Sequence, residues 1–542
     1  MILLSTLPFD LPDLRGQGWA YPLLFLSIVV LHFRFCYTFG LLALLFLAIW
    51  GHLAVRFPWH LSSHILLWAV LPAQFLNGLG LLLVATYGER EGVDAKYRAR
   101  LRHRNGMLTL RNIRRGVSII GSAGSGKTES VVRALLKHFH RHGFAGVIHD
   151  YKHFEITELA WPLFQKEGLP LHIVSFDTIY KRVNPIAPRY LPDEESVNEV
   201  ARVLIENLLE QRDSQAQGST KFFNDAVEGL LGGMIWMLRT HYERCCTLPH
   251  LIAVYQFLSP KRLIQWLSTD LTAKAMADAF IAGKESERQT AGVLSTLANA
   301  LKKISTQRIF MALSADELDL DINNPDHPSV VAIVNHPKYD IAYSPIIATL
   351  LHTITKQMAV RGRHHSFMLV EEAPTIRLLN MHRIPATLRS YDISTVYVMQ
   401  DKNQNDMMYG DKASRAILAN LSYQFFGKVN DPGTAMYFEA FFEMVKKPIQ
   451  SVSKGVDPFR SDTRITKSEK EVSKVSSDAF FRLKQGEFFA FSDGKSRRIR
   501  FPVPRPERGL PQPKYAPDDP EIARNFERIH KEAQALFKSG QS

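Results

Sequence analysis

The sequence is poor in cysteine, in glycine plus proline, and in the motifs of several common site types. Three cysteines, two of them adjacent at Cys245 and Cys246, cannot build a disulfide framework, so a reducing compartment suits most of the chain. The 31 glycines and 28 prolines among 542 residues are too few for a collagen-like or low-complexity chain. The sequence also lacks zinc-ligand spacing, a nucleophile-elbow motif and internal repeats, so nothing points to those classes.

The remaining composition is that of a globular protein with a positive charge. Hydrophobic residues make up 46% and charged residues 22% of the chain, and the length predicts about three or four domains. Lys and Arg outnumber Asp and Glu by 66 to 53, which gives a net charge of +13. This excess suits an anionic partner such as nucleic acid or a membrane surface, and it carries no information about the fold.

Formal charge is nearly absent from residues 1–87. Two uncharged runs, residues 35–55 and 65–87, are 21 and 23 residues long, and a helix of about 20 apolar residues spans a membrane. They predict two transmembrane helices, with a pair of buried core helices as the less favoured alternative. Residues 21–31 form a shorter apolar stretch, so the number of spans stays open between two and three.

A basic block follows the second run. Residues 96–115 contain no acidic residue and eight basic ones: Lys96, Arg98, Arg100, Arg102, Arg104, Arg111, Arg114 and Arg115. Positive charge beside a span marks its cytoplasmic side, so the rest of the chain is predicted to be cytoplasmic. The block is also expected to bind lipid headgroups or DNA, although topology alone explains it.

The strongest chemical signal is the segment 121–128, which fits the P-loop pattern G-x-x-x-x-G-K-[ST] completely. Residues 116–120 read as a strand entering this loop, and residues 129–142 read as a helix leaving it. We therefore expect ATP and Mg²⁺ as cofactors. Lys127 would reach the β- and γ-phosphates, and the Thr128 hydroxyl would bind Mg²⁺. The predicted nucleotide-binding residues are Gly121, Ser122, Ala123, Gly124, Ser125, Gly126, Lys127 and Thr128.

Besides the P-loop strand, the expected chemistry needs a strand that ends in acidic residues. Residues 366–370 form an apolar run that ends in Glu371 and Glu372. Glu371 would hold the Mg²⁺ shell, and Glu372 would polarise the attacking water. Gln400 ends a third strand, residues 394–400, where an amide beside the γ-phosphate can sense hydrolysis. Arg389 is predicted to reach the γ-phosphate of a neighbouring subunit, because one chain offers no obvious second positive charge beyond Lys127. A surface salt bridge is the alternative for Arg389.

Taken together, these motifs resemble the type IV secretion coupling proteins, the TraG/TraD-like ATPases of bacterial conjugation. The resemblance covers roughly residues 116–500. Besides the P-loop and the Glu371–Glu372 strand, the similar segments are residues 147–152, 184–185, 222–231, 389–410 and 430–435. Two departures stand out: Glu371 occupies a place where the family usually has Asp, and the loop between the proposed spans, residues 56–64, is short.

The motifs and the resemblance imply an α/β P-loop NTPase with a RecA/FtsK-like parallel sheet, an inserted all-α domain and an N-terminal transmembrane anchor. Further strands are expected at residues 146–149, 171–176, 330–335 and 423–429, and a polar loop at 446–475. The expected domains are the anchor at 1–95, the nucleotide-binding domain in two parts at 96–185 and 321–505, the helical insertion at 186–320, and a Pro-rich linker with a helical tail at 506–542.

The function implied by the resemblance is an ATP-driven motor that pumps DNA, with a bound relaxase, into a type IV secretion channel. Such a motor would be a multi-pass protein of the bacterial inner membrane, with its ATPase region in the cytoplasm and a homo-hexameric ring as the active form. A coupling ATPase for protein effectors is one alternative. A FtsK/HerA-like DNA translocase is another, although no DNA-orienting terminal domain is seen. A nucleotide-binding adaptor without turnover is disfavoured by the intact Lys127, Thr128 and Glu372.

Overall fold

The fold is organised around one mixed sheet of nine strands. The computed structural model describes residues 95–166, 168–209, 219–283, 286–454, 463–502 and 507–538. Both predicted membrane spans lie outside these residues. Within the described part of the chain, no helix combines the length and the apolar character that a membrane span requires.

Thirteen strands are present in the described residues. They are β1 Ala99–His103, β2 Gly106–Leu110, β3 Val117–Ile120, β4 Ala145–Asp150, β5 Leu171–Val174, β6 Val330–Val334, β7 Ser366–Val370, β8 Ile393–Met399, β9 Tyr423–Phe426, β10 Met444–Lys454, β11 Thr463–Ser473, β12 Glu487–Ser492 and β13 Lys495–Arg500. The central sheet has the order β13-β12-β9-β3-β8-β7-β4-β6-β5. Each segment that the sequence predicts as a strand is therefore a strand of this sheet.

Seven neighbouring strands, from β9 to β5, pair in parallel. Every residue of β3, β4, β6, β7, β8 and β9 is buried, as expected for a sheet covered on both faces. In the register, Ile120 lies opposite Met399 of β8, and Val370 of β7 lies opposite Tyr397 of β8. The carboxyl ends of β3, β8 and β7 are consequently adjacent at one edge of the sheet.

The outermost strands on one side of the sheet, β13 and β12, depart from the predicted all-parallel arrangement. Strand β12 pairs antiparallel with both β9 and β13. Its link to β13 is the two-residue turn Asp493-Gly494, in which both residues have positive φ, 49° and 75°. A turn this short joins only antiparallel strands, and Asp-Gly is a favoured sequence for it.

Residues 446–475, predicted to be a loop, lie mainly in two long strands instead. Strands β10 and β11 pair antiparallel from Met444 opposite Ser473 to Lys454 opposite Thr463. The prediction was wrong because these strands lack the alternation of apolar and polar residues that marks a half-buried strand. Backbone hydrogen bonds can form this ladder regardless of how polar its side chains are.

Helices cover the faces of the sheet and make up the described part of the segment between β5 and β6. They are α1 Arg133–Arg141, α2 Thr157–Lys166, α3 Glu194–Leu208, α4 Ser219–His241, α5 Leu248–Phe257, α6 Pro260–Leu267, α7 Leu271–Met276, α8 Asp278–Ala282, α9 Glu287–Ile304, α10 Gln307–Leu313, α11 Asp340–Met358, α12 Ile384–Arg389, α13 Lys402–Tyr409, α14 Asp411–Ala419, α15 Pro432–Glu439, α16 Asp478–Phe481 and α17 Pro520–Ala535. The described residues between β5 and β6 contain no strand. The domain boundaries expected above stay a prediction.

The last helix is docked on the helical segment. In α17, Ile529 and Ala533 are fully buried, and His250 of α5 lies 2.9 Å from a carboxylate oxygen of Glu532. The rings of Phe310 in α10 and Phe526 in α17 are 4.7 Å apart. This amphipathic helix therefore belongs to the core of the fold and is not a solvated end.

Candidate active site

The P-loop segment 121–128 lies between β3 and the helix that follows it. Its backbone is fixed from both sides, because Gly121 N–H donates to Met399 O at 3.2 Å and Ser122 N–H donates to Lys428 O at 2.6 Å. Gly126 has φ +89°, and a Cβ there would lie 2.9 Å from the backbone nitrogen of Gly486. Both the conformation and the close approach therefore require glycine at this position.

The predicted helix after the loop is confirmed. It begins with a π-helical turn, Thr128–Val132, and continues as α1. Five apolar residues of this segment are completely buried: Val131, Val132, Leu135, Leu136 and Phe139. This packing holds the amino end of the helix, with its unpaired N–H groups, at the loop where a phosphate would bind.

Lys127 is buried inside the loop, with 5% of the residue exposed. Its ammonium donates to Gly121 O and, at 3.3 Å, to Ser122 O. Burial lowers the pKa of Lys127 to about 8, against the opposing effect of the Glu372 carboxylate. Among the described residues, the hydrogen-bond acceptors of this buried cation are both carbonyl oxygens, and it is suited to exchange them for phosphate oxygens.

Glu371 ends β7 and is almost completely buried. Its Oε1 accepts a hydrogen bond from Lys152 Nζ at 3.1 Å, and its Oε2 accepts one from Tyr151 N–H at 3.2 Å. Burial, and then the neighbouring carboxyl of Asp150, raise the pKa of Glu371, whereas Lys152 opposes this rise. The ionised form of Glu371 therefore depends on Lys152.

Glu372 has a left-handed backbone, with φ 46°, and 2% of the residue is exposed. Its Oε2 accepts a hydrogen bond from the Gln400 amide at 3.1 Å. Its Oε1 is buried and has no hydrogen-bond partner in the described part of the chain. A buried carboxylate oxygen without a partner is costly in a fold and is typical of a functional site.

Lys152 is the residue that the sequence prediction missed. Its Nζ lies 3.1 Å from Glu371 Oε1 and 3.8 Å from Glu372 Oε2. It therefore supplies a second positive charge beside the P-loop, which corrects the expectation that Lys127 is the sole cation near this position within one chain. The available signal was its place two residues after β4, at the same sheet edge as the other site residues.

Asp150, the last residue of β4, has a structural role at the start of the next helix. Its Oδ2 accepts hydrogen bonds from the N–H groups of Ile156 and Thr157 at 3.0 and 2.7 Å, and from the Thr157 hydroxyl at 2.7 Å. Burial raises its pKa, and these hydrogen bonds oppose the rise. Asp150 thereby fixes the start of α2 and also adds negative charge beside Glu371.

Gln400 and Arg389, the two remaining predicted site residues, have different positions. Gln400 directly follows β8 and lies in the site through its bond to Glu372. Arg389 ends α12, is exposed, and precedes β8. The seven residues of β8 separate it from the P-loop edge by about 20 Å. Within one chain Arg389 is not part of the site, and its action across a subunit boundary stays a prediction.

The residues at this edge fit a magnesium nucleotide. Mg²⁺ prefers oxygen ligands and is usually held by one or two protein groups together with phosphate oxygens. The Thr128 hydroxyl and the Glu371 carboxylate provide such oxygens, Lys127 provides the positive charge for phosphates, and the unpartnered Glu372 Oε1 stays available for a water. These residues would hold ATP and Mg²⁺.

A family model described as type IV secretory system conjugative DNA transfer matches residues 84–478. The chain belongs to this family. The expected resemblance to coupling proteins of type IV secretion is thereby confirmed, and so is the assignment to conjugative DNA transfer. No curated protein matches the sequence closely enough to count as a relative.

Solved structures of a coupling protein share the fold. Unbound TrwBdeltaN70, a bacterial conjugative coupling protein, has a TM-score of 0.60 at 12% identity, covering 78% of this chain and 93% of that chain. TrwB with ADP and Mg²⁺ has a TM-score of 0.58 at 14% identity, covering 74% and 88% of the two chains. TrwB with a non-hydrolysable ATP analogue gives the same TM-score and coverage at 12% identity. Together with the mixed sheet, this similarity confirms the α/β P-loop fold.

Proposed function

We propose that this member of the family is an ATP-driven motor of the bacterial inner membrane, which takes DNA with an attached relaxase to a type IV secretion channel. One observation carries the proposal. The neighbouring strands β3, β8 and β7 end in the P-loop, Gln400 and the Glu371–Glu372 pair, so the parts of a hydrolysing site meet at one sheet edge.

Each side chain has a distinct role in this proposal. Lys127 binds the β- and γ-phosphates, and Thr128 with Glu371 holds the Mg²⁺ shell. Glu372 orients the attacking water and accepts its proton through Oε1. Lys152 keeps Glu371 ionised, and Gln400 holds Glu372 in place through its bond to Oε2. When bound, Mg²⁺ neutralises the charge that develops on the phosphates.

The setting of the motor follows from the sequence and the family. The apolar runs at residues 35–55 and 65–87 would anchor the chain as a multi-pass protein, with the ATPase region in the cytoplasm. The active form would be a homo-hexameric ring. DNA would pass through it by contacts to its phosphates, without base readout, which agrees with the net charge of +13.

A coupling ATPase for protein effectors would have the same ATP site. The site therefore does not distinguish DNA from protein as cargo, and a measurement with each cargo is needed. An adaptor that binds nucleotide without turnover would not need a buried carboxylate oxygen left open beside the phosphate-binding loop, as Glu372 Oε1 is. The site therefore favours turnover.

The test is ATP turnover of the full chain, reconstituted in lipid, with and without DNA. We expect DNA to raise turnover severalfold, and the Glu372→Gln variant to show neither basal nor stimulated turnover. Turnover that DNA leaves unchanged but a cognate effector protein raises would replace DNA by protein as the cargo. Absence of turnover under all conditions would favour the adaptor.

A further inference from the structure

A groove of about 980 Å³ is lined by residues of β1 and α1. Two sequence patterns bring basic side chains to it. In β1, buried Ala99 and Leu101 alternate with exposed Arg100 and Arg102. In α1, basic residues recur every four positions on one face, at Arg133, Lys137 and Arg141.

The charged side chains that line the groove are almost all basic. Six basic side chains that line it form no ion pair with a carboxylate in the described part of the chain: Arg100, Arg102, Arg104, Arg133, Lys137 and Arg141. Its one acidic lining residue, Glu129, pairs with Arg508 at 3.3 Å. Burial, and then Arg133 and Arg141, lower the pKa of Lys137. The folded chain therefore maintains a like-charge repulsion that a bound anion would relieve.

The size and the lining of the groove distinguish among anions. Its volume is that of a site for a compact molecule. A groove of this volume cannot enclose a turn of DNA duplex, whose major groove alone is about 12 Å wide. Single strands are usually held by stacking bases on exposed aromatic rings. The one Phe, Tyr or Trp in the lining is Phe501, which is 2% exposed.

We propose that this groove binds the phosphate headgroup of an anionic membrane lipid. The inference rests on the membrane anchoring proposed above. Ten residues separate Tyr87, the end of the second apolar run, from Arg98, and juxtamembrane basic clusters are attracted to anionic lipids. Because Glu129 and Ser130 line the groove and directly follow Thr128, the headgroup would bind beside the first turn of the P-loop helix.

The experiment measures how fast an amine-reactive reagent labels Lys137 in the full chain, held in lipid nanodiscs. We expect labelling of Lys137 to be at least about fivefold slower in discs with phosphatidylglycerol than in phosphatidylcholine discs, since each nearby basic residue contributes about that factor. Lys274, which is exposed on α7, is the internal control and should react equally in both.

Two variants make the test specific. Changing Arg100, Arg102 and Arg133 together to Gln should abolish the protection of Lys137, with an affinity loss of about a hundredfold. Changing three exposed basic residues elsewhere, Lys261, Arg288 and Lys412, should leave the protection intact. ATP turnover of each variant reports whether it is folded.

Further arms decide the source of the anion. Equal labelling of Lys137 in both discs would overturn the proposal. Protection in phosphatidylcholine discs by a single-stranded oligonucleotide would assign the groove to nucleic acid, and equal protection by inorganic phosphate would assign it to a free anion. Either result would also overturn the lipid assignment. Failure of the chain to enter nanodiscs would contradict the membrane anchor instead, so the two failures are distinguishable.

Discussion

The Gln400 amide donates a hydrogen bond of 3.1 Å to Oε2 of Glu372, and this bond joins the ends of two neighbouring strands. It leaves Oε1 as the carboxylate oxygen without a partner in the described residues. The amide thereby engages one oxygen of Glu372 and leaves the other available to a water. A change at the phosphates can reach β8 through the same bond.

Gln400→Ala should retain nucleotide binding and lower ATP turnover by about tenfold to a hundredfold, because a hydrogen bond to a buried charged group is lost. The measurement is turnover rate together with the affinity for a non-hydrolysable nucleotide. Gln404→Ala is the matched control, since the Gln404 side chain bonds Asp401 on the surface. Normal turnover in Gln400→Ala would show that Glu372 is held without the amide.

The roles of the two adjacent carboxylates are separable. Glu372→Gln should bind ATP but lower turnover by about a hundredfold or more, because the proton acceptor is lost. Glu371→Gln should instead raise the Mg²⁺ concentration needed for half-maximal turnover. Both variants keep the size of the side chain. If Glu371→Gln stops turnover at saturating Mg²⁺ while Glu372→Gln hydrolyses normally, the two roles are reversed.

Lys127 predicts a pH dependence of nucleotide binding. Its pKa, lowered by burial to about 8, means that the free site is protonated below pH 8 and becomes neutral above it. Because phosphates bind the protonated form, affinity should fall about tenfold between pH 7 and pH 9. Fluorescent-nucleotide titrations measure this fall.

Two variants of Lys127 complete that test. Lys127→Arg keeps its charge throughout this range and should lose the pH dependence. Lys127→Ala should remove ATP hydrolysis without affecting membrane insertion, since the charge serves phosphates and not packing. An affinity that is constant from pH 7 to 9 in the wild-type chain would contradict the role given to Lys127.

The sequence predicts the P-loop part of this site but not the contacts between distant strands. The P-loop is read directly, because its glycines and its lysine must follow one another along the chain. Whether Gln400 meets Glu372 depends on β8 lying beside β7, which is a property of the sheet order. Lys152 was missed for the same reason, since its partners Glu371 and Glu372 are more than 200 residues away along the chain.

Some strands of the fold can likewise be recognised from the sequence, and others cannot. Parallel strands such as β3 and β8 are apolar throughout because both faces are buried, so they are recognised by composition. Strands β10 and β11 carry no such pattern. The Asp493-Gly494 dipeptide is a sequence signal for the antiparallel pair β12–β13, because it favours a two-residue hairpin turn.

Lys152→Met should move the pH profile of ATP turnover. Burial and Asp150 raise the pKa of Glu371 and Lys152 opposes them, so its removal raises that pKa further. Glu371 would then stay protonated to higher pH, and the acid limb of turnover should move up by about one pH unit or more. With ATP kept saturating, so that the weaker binding expected of neutral Lys127 does not limit the rate, turnover should fall at pH 7 and recover towards pH 9.

A lysine in a distant ion pair provides the control for this change. Lys356 Nζ lies 2.5 Å from Glu199 Oε2, and Lys356→Met should leave the profile unchanged. A Lys152→Met variant that loses turnover equally at all pH values would show that Lys152 acts on the phosphates themselves.

Arg389 is expected to act across a subunit boundary in a ring. It is exposed and lies at the opposite sheet edge from the P-loop of its own chain, so a neighbouring subunit is where it could contact a nucleotide. Lys152 shows that a second cation is already present in the site, which removes one reason for this role. The remaining reason is that a neighbour's arginine would couple hydrolysis to assembly.

Mixing two inactive variants tests this role. Arg389→Ala and Lys127→Ala should each be inactive alone. In a mixed ring, some interfaces pair an intact P-loop with an intact Arg389, so part of the turnover should return, in proportion to the fraction of such interfaces. Arg415→Ala, at an exposed arginine paired with Asp411, is the control that should stay fully active.

Full activity of Arg389→Ala would mean that the arginine that acts in trans, if the ring uses one, lies elsewhere. Mixed rings that form but recover no turnover would mean that the arginine acts within its own subunit or that the ring needs every site to be intact.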